Sequence, residues 1–259
     1  MRRPVPMGIS RPRPIPVPSR GRTAGRLAAE TEGDITLPDV LGSEIATVLE
    51  RRIIYLDIAP DARVTEQEVC DEFNISRSPV REAFRQLEST GLVVRLARRG
   101  IRVKELSVAD LDDIYACRTP LEGIASGLAA KRATKEDLAT MQGHLKAMQA
   151  ALKAGHVREF FLHNVGFLTV MHEAAGNKML VRILSVIEKQ AMRYRYLAHI
   201  EDETMLVLVH QGLTEVYAAM VARQPAKAKA ALVRTMMQSQ KTIRGVVRRH
   251  LSSPRAADD

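Results

Sequence analysis

The chain has two cysteines in 259 residues, Cys70 and Cys117. They are too few and too far apart for a disulfide framework or a zinc cluster built on cysteine pairs, so both are expected to be small buried hydrophobes in a reduced cytoplasmic protein. Long apolar runs are also missing. The longest uninterrupted aliphatic stretch is Met205–Val209, far below the ~20 residues of a membrane-crossing helix, so a soluble protein with no membrane partner is expected. There is no pattern of paired catalytic carboxylates, no nucleophile elbow and no phosphate-binding loop. An enzymatic reading is therefore the weakest. No sustained repeat links the segments, which argues against a solenoid.

Acidic residues are in deficit as well. Aspartate and glutamate number 30 against 39 lysines and arginines, a formal charge of +9. Such an excess suits a protein that meets phosphate backbones or anionic lipid, and does not by itself choose between them.

Residues 1–37 open with MRRPVPMGISRPRPIPVPSRGRTAGR. No apolar core is followed by a cleavage site, so this is not a secretory signal. The prolines prevent the amphipathic helix of a transit peptide. A disordered basic tail rich in proline and arginine is expected, adding non-specific attraction to DNA through counterion release.

The composition changes near Leu37. Leu37, Leu41, Ile45, Val48, Leu49 and Ile53 recur at three-to-four spacing, the mark of an amphipathic helix. A turn at Pro60 and Asp61 follows, and Thr65 with Glu68 forms a capping-box pattern opening a short helix. After Asn74–Ser76 a second helix begins, capped by Ser76 or Ser78, with Pro79 in its first turn where no intrahelical partner is needed. Gly91 ends it, and two β-rich runs flank the turn Arg98–Arg99–Gly100. Residues 38–106 thus read as a winged helix-turn-helix domain. Its second helix starts with Arg77, Ser78, Arg81 and Arg85, cations in the first turns, as a helix docked in the major groove requires. Arg98 and Arg99 stand where a wing reaches backbone phosphate or the minor groove.

Six amphipathic segments fill residues 107–250, separated by helix stops and starts. Short connections imply antiparallel neighbours in a bundle. Its many methionines and alanines are expected to fill the core. Residues 251–259 are expected to be a C-terminal tail. The fold class expected is mainly α: an N-terminal winged helix-turn-helix followed by an all-α antiparallel bundle.

The run VTEQEVCDEFNISRSPVREAFRQLESTGLVVRLARRGIRV resembles the DNA-binding domain of the GntR family of bacterial transcription regulators. The segments DIYACRTPLEGIASGLAAKRAT, FLTVMHEAAGN and GLTEVYAAMVARQPAKAKAAL are similar to the FCD effector domain of its FadR-like subgroup. The resemblance implies a homodimeric regulator, expected to be a repressor, that binds a pseudo-palindromic double-stranded operator and responds to a small-molecule effector. It implies DNA contact by Arg77 and Arg81. Gln67 stands where relatives commonly carry an arginine on the preceding helix, so the sequence preference is expected to differ.

Many such effector domains hold a divalent metal with an aspartate and three histidines. By alignment the four positions here are Asn164, Leu168, Leu213 and Thr235. Leucine has no lone pair to donate, so that site cannot form and no metal or other cofactor is expected. His163, His172 and His210 lie in the right segments at shifted positions, where exposed or internally hydrogen-bonded rings are expected. Arg118 aligns with an arginine that relatives direct at a ligand carboxylate, which implies a carboxylate effector bound among Arg118, Asn164, Leu168 and Leu213. Two alternatives remain open: Arg118 bridges internally to Glu122 four residues on, or the helical domain only dimerises and has no ligand. Tyr194, Tyr196 and Tyr217 are candidates to shape the pocket.

Overall fold

The computed structural model of the protein describes residues 37–97 and 100–252. The expected basic tail up to residue 36, the wing-tip pair Arg98 and Arg99, and the last seven residues lie outside the described residues. The N-terminal elements are α1 (Leu37–Ile54), β1 (Arg63–Val64), α2 (Glu66–Phe73), α3 (Arg77–Ser89), β2 (Val93–Leu96) and β3 (Gly100–Val103). The helical elements are α4 (Val108–Arg132), α5 (Lys135–Ala154), α6 (Val157–Ala174), α7 (Lys178–Glu201), α8 (Glu203–Val221) and α9 (Pro225–Ser252).

Local chemistry accounts for most of these boundaries. Thr65 and Glu68 form a complete capping box at the start of α2, and Thr134 with Asp137 forms another at α5. Asn74 ends α2 in the left-handed conformation, φ +51°, with its N–H bonded to the Cys70 carbonyl. Asparagine tolerates this conformation, so the chain turns within three residues and enters α3. Asn177 caps α7 by accepting from the Leu180 N–H, and Pro225 opens α9.

The expected hairpin forms between β2 and β3, with Val93 opposite Val103 and Leu96 opposite Gly100. The sequence reading missed β1, which adds a third antiparallel strand through Arg63–Arg102 and Val64–Ile101. Two residues are too short for a periodic signal, and the pairing is made across the sheet rather than along the chain.

Two cores form. In the first, Ile45, Leu49 and Ile53 of α1 meet Val80, Phe84 and Leu87 of α3 over the sheet residues Ile101 and Val103. Burying a side chain such as Phe84 contributes roughly 1.5–3 kcal/mol. Val48 is exposed, contrary to its expected place on the apolar face, because the buried stripe of α1 runs through Ile45, Leu49 and Ile53. The second core fills the bundle, where α4 packs on α9, α5 on α6 and α8 on α9. A smaller cluster of Ile54, Phe161 and Tyr196, with Tyr55 against it, joins the end of α1 to α6 and α7.

Cys70 is buried as expected, but Cys117 of α4 is exposed although its neighbour Arg118 is buried. By length and composition α8 reaches the range of a membrane span, with mean hydropathy 1.2, although its longest aliphatic run is only five residues. Met205, Leu206, Val209, Leu213 and Val216 of this helix are buried within the bundle.

Candidate nucleic-acid interface and buried polar centre

The exposed start of α3 carries the cationic stripe. Ser76 occupies the N-cap position without a side-chain hydrogen bond, and no acidic residue lies in the first turn. The partial positive charge of that helix end is therefore not offset from within the helix, which suits an anion. Arg77, Ser78, Arg81 and Arg85 are all exposed, while Val80, Ala83, Phe84 and Leu87 hold the opposite face in the core.

Each arginine has a surface partner. Arg77 donates to Gln67 Oε1 at 2.9 Å, and Gln67 in turn donates to Asp71. Arg81 Nε donates to Glu66 Oε2 at 3.0 Å, and Arg85 lies 3.4 Å from Glu82. Solvent-exposed pairs of this kind contribute about 0–1 kcal/mol and are screened by salt, so a phosphate can replace the partner. The sequence reading missed Glu66, which also stands 3.9 Å from Arg95 of β2 and orients two cations at once. Gly100 opens β3 with φ +78°, a left-handed conformation that favours glycine at the wing's turn.

The bundle interior holds a cluster of charge that the sequence reading largely missed. Arg118, 1% exposed, and Glu122, 0% exposed, face inward from α4. Arg118 Nη2 lies 3.0 Å from Glu122 Oε1 and 2.6 Å from Glu188 Oε2 of α7, both at angles too skewed for hydrogen bonds. Glu188 Oε1 accepts from Arg195 Nη1, and Arg195 Nη2 donates to Asn164 Oδ1 of α6. Glu122 Oε2 meets His172 Nε2 of α6 at 2.8 Å.

Burial by itself would lower the Arg118 pKa, but the Glu188 and Glu122 charges outweigh it and the net shift is upward. Burial likewise works against the Glu122 carboxylate, yet His172 and Arg118 hold it down at about 2. His172 is raised, because Glu122 overcomes the burial that would lower it. His199 of α7, fully buried, is pushed down to about 4 by that burial. Its Nδ1 donates to the Arg195 carbonyl at 2.5 Å, and its Nε2 has no partner.

Against this cluster lies a cavity of about 20 Å³, room for roughly one water. Arg118, Asn164, Leu168, Leu213 and Thr235, the positions picked out by alignment, all line it together with Tyr115, Arg195 and Ser239. Arg118 bridges to Glu122 and also to a second carboxylate that the reading did not include. The three candidate tyrosines do not line the cavity: the Tyr194 hydroxyl accepts from the Ser107 N–H, Tyr196 packs on Tyr55 and Phe161, and Tyr217 lies against the apolar core. Among the described residues, no group of three or more histidine, cysteine, aspartate or glutamate side chains is placed to hold a metal. His163 Nδ1 is 3.1 Å from His144 Nδ1, and His210 reaches the Leu145 carbonyl at 3.3 Å.

One signal in the sequence does point to the polar centre. Leu180, Leu184, Glu188, Ala191, Arg195 and Ala198 share one buried stripe of α7. Two charged members of an otherwise apolar stripe must find partners inside the fold or unfold it.

A helix-turn-helix with a cationic, uncapped recognition-helix start, an attached wing and a helical bundle with a polar centre defines a DNA-binding regulator of two-part construction. Residues 41–103 match the family described as bacterial regulatory proteins, gntR family, and residues 113–238 match the FCD domain. The chain belongs to the GntR family of transcription regulators and carries the FCD effector domain. It is 24% identical to the HTH-type transcriptional repressor RspR of Escherichia coli K12 over 222 residues, 85% of this chain and 95% of that one. It is 31% identical to the uncharacterized HTH-type transcriptional regulator YdhC of Bacillus subtilis over 137 residues, 52% of this chain and 61% of the relative. The solved structure of E. coli McbR/YncC matches with TM-score 0.72 at 20% identity, covering 82% of this chain and 99% of that one, which bears on the fold alone.

Proposed function

We propose that the protein is a cytoplasmic, non-enzymatic repressor that binds a pseudo-palindromic operator as a homodimer and whose operator affinity is set by a small organic acid in the helical domain. The exposed cationic start of α3 carries this reading. Arg77 and Arg81 read base edges, with Gln67 fixing Arg77. Ser78, Arg85, Arg98, Arg99 and Gly100 meet the backbone. The two functions fall to residues 38–106 and 107–250, flanked by the tails 1–37 and 251–259. The repressor assignment is supported by the likeness to RspR over most of both chains. Met179, Ile183 and Val186 leave an exposed apolar stripe on α7, which supports a second copy as partner. Arg118, Asn164, Leu168 and Leu213 are the effector contacts.

A second reading, in which the helical domain dimerises without a ligand, is favoured by the small size of the cavity and by the two carboxylates already facing Arg118. The two separate on one criterion. An effector must raise the melting temperature and shift operator affinity, because coupling acts in both directions.

Binding sites selected by the full chain from a random duplex pool would supply the operator. On that operator Arg77→Ala should lose about 1–3 kcal/mol of affinity, with little change on scrambled DNA at the same salt. Equal losses on both would show that Arg77 touches phosphate only.

A further inference from the structure

Glu188 divides its carboxylate between two guanidinium groups, one oxygen toward Arg195 and the other toward Arg118. Such a clamp receives a carboxylate of any origin, since guanidinium donors match the two oxygens without regard to what the carboxyl group is attached to. The clamp also has donors to spare. Nε and Nη1 of Arg118 are buried without a hydrogen-bond partner, a costly state in a site shut from water. The adjoining cavity is lined by both arginines and is too small for any molecule beyond water while Glu188 is in place.

The other faces of the same two turns of α7 hold the DNA-binding elements. Lys189 Nζ donates to Glu50 Oε2 of α1 at 2.8 Å. Gln190 packs under Gly91, where an added Cβ would come within 3.2 Å of its amide carbon. Arg193 donates to the carbonyls of Lys104 and Glu105, which lead from the wing into α4, and the Tyr194 hydroxyl takes the Ser107 N–H. Within eight residues, one helix thus touches the polar centre through Glu188 and Arg195 and the DNA-reading half through Lys189, Gln190 and Arg193. A hydrogen-bonded helix keeps its residues at a fixed rise of about 1.5 Å, so a shift of the α7 backbone at Glu188 also moves Lys189, Gln190 and Arg193.

We propose that Glu188 is a resident carboxylate ligand of the Arg118–Arg195 clamp, displaced in the regulated state by a short monocarboxylate, and that α7 residues 188–195 carry the exchange to the DNA-binding domain. The inference rests on reading the helical domain as ligand-responsive. Exchange leaves the charge within the clamp unchanged, since one carboxylate replaces another between the two guanidinium groups. The displaced carboxylate has a route outward, because the Glu188 side chain is 10% exposed where Arg118 and Glu122 are sealed. A short acid fits because the space vacated is that of one glutamate side chain.

The test uses the full chain as wild type, Glu188→Ala and Glu188→Gln, unfolded thermally in sodium acetate or sodium propionate against sodium chloride of equal ionic strength. Without acetate both variants melt lower than wild type. At about ten times its dissociation constant, acetate should raise the melting temperature of Glu188→Ala saturably by about 3–6 °C. Glu188→Gln should respond in the same direction by less, and wild type only at higher concentration. If Glu188→Ala does not fold, Glu188→Gln decides the matter. A response no larger than that of wild type overturns the resident-ligand assignment. Amide hydrogen exchange then tests the relay. Acetate bound to the variant should change protection in the last turns of α1 and across residues 91–105, and unchanged protection there alongside a raised melting temperature overturns that half. Both readouts are taken without DNA. Failure to select any DNA sequence would refute the regulator reading, while the acetate response still decides this one.

Discussion

Acidification should destabilise the helical domain through His199, and the size of the effect follows from its surroundings. The ring is 1% exposed, tilted against Phe160 and edge-on to Phe161 at 5.5 Å between centroids, and close to the Arg195 charge. Burial pushes its pKa down to about 4, against about 6.5 for an unfolded chain. A depressed pKa contributes stability that is present above the unfolded value and lost as pH falls toward the folded one. Between pH 7 and pH 5 the unfolded state takes up the proton and the folded state does not, which removes about 2 kcal/mol. The structural cause is specific: Nδ1 already donates to the Arg195 carbonyl, so a second proton must go on Nε2, which has no acceptor. The perturbation is His199→Phe, which keeps an aromatic ring and removes the titration. Urea unfolding of both proteins at pH 7 and pH 5 isolates the residue, because other titrating groups cancel in the difference. The wild type should lose about 2 kcal/mol more than the variant over this interval. Equal losses would refute the assignment of acid sensitivity to His199.

Gly212→Ala places a Cβ 2.2 Å from Thr235 Oγ1 and 2.5 Å from its Cγ2 where α8 crosses α9. A destabilisation of about 1–3 kcal/mol is expected from overpacking. Adding Thr235→Ala should recover part of it in chemical denaturation, and strict additivity would show that the crossing relaxes without Thr235. Glu122→Gln removes the carboxylate that raises His172. The imidazole titration followed by NMR should move to lower pH. In the wild type this raised group contributes stability that is complete below about pH 6.5 and lost as pH rises through its folded value, and the variant should lack that alkaline-side loss. Breaking a buried pair from one side should also cost about 3–5 kcal/mol.

Much of the fold was readable because it depends on neighbours in the chain. Thr65 and Glu68 announce α2, Asn74 permits the tight turn, and the 3.6-residue period of Val80, Phe84 and Leu87 sets which side of α3 is buried, leaving Arg77, Arg81 and Arg85 outside. These are consequences of local geometry, so the recognition surface and the six-helix order followed without tertiary information. The strand β1 escaped notice because two residues carry no period.

The full set of partners in the centre of the bundle was decided by tertiary structure. Alignment could bring Arg118, Asn164, Leu168, Leu213 and Thr235 to one cavity, but not foresee that Glu188 and Arg195 of α7 would lie beside them. Charges on an apolar stripe announce that partners are needed. Which partners they find depends on the packing of α4, α6 and α7, which joins residues 31 positions apart at Asn164 and Arg195 and 50 apart at Glu122 and His172, and Coulomb attraction at about 3 Å has no trace in local sequence. The sequence by itself fixed a DNA-reading half and a helical half. Only the packed structure decided that one helix, α7, would hold the buried arginines on one face and the DNA-reading half on another.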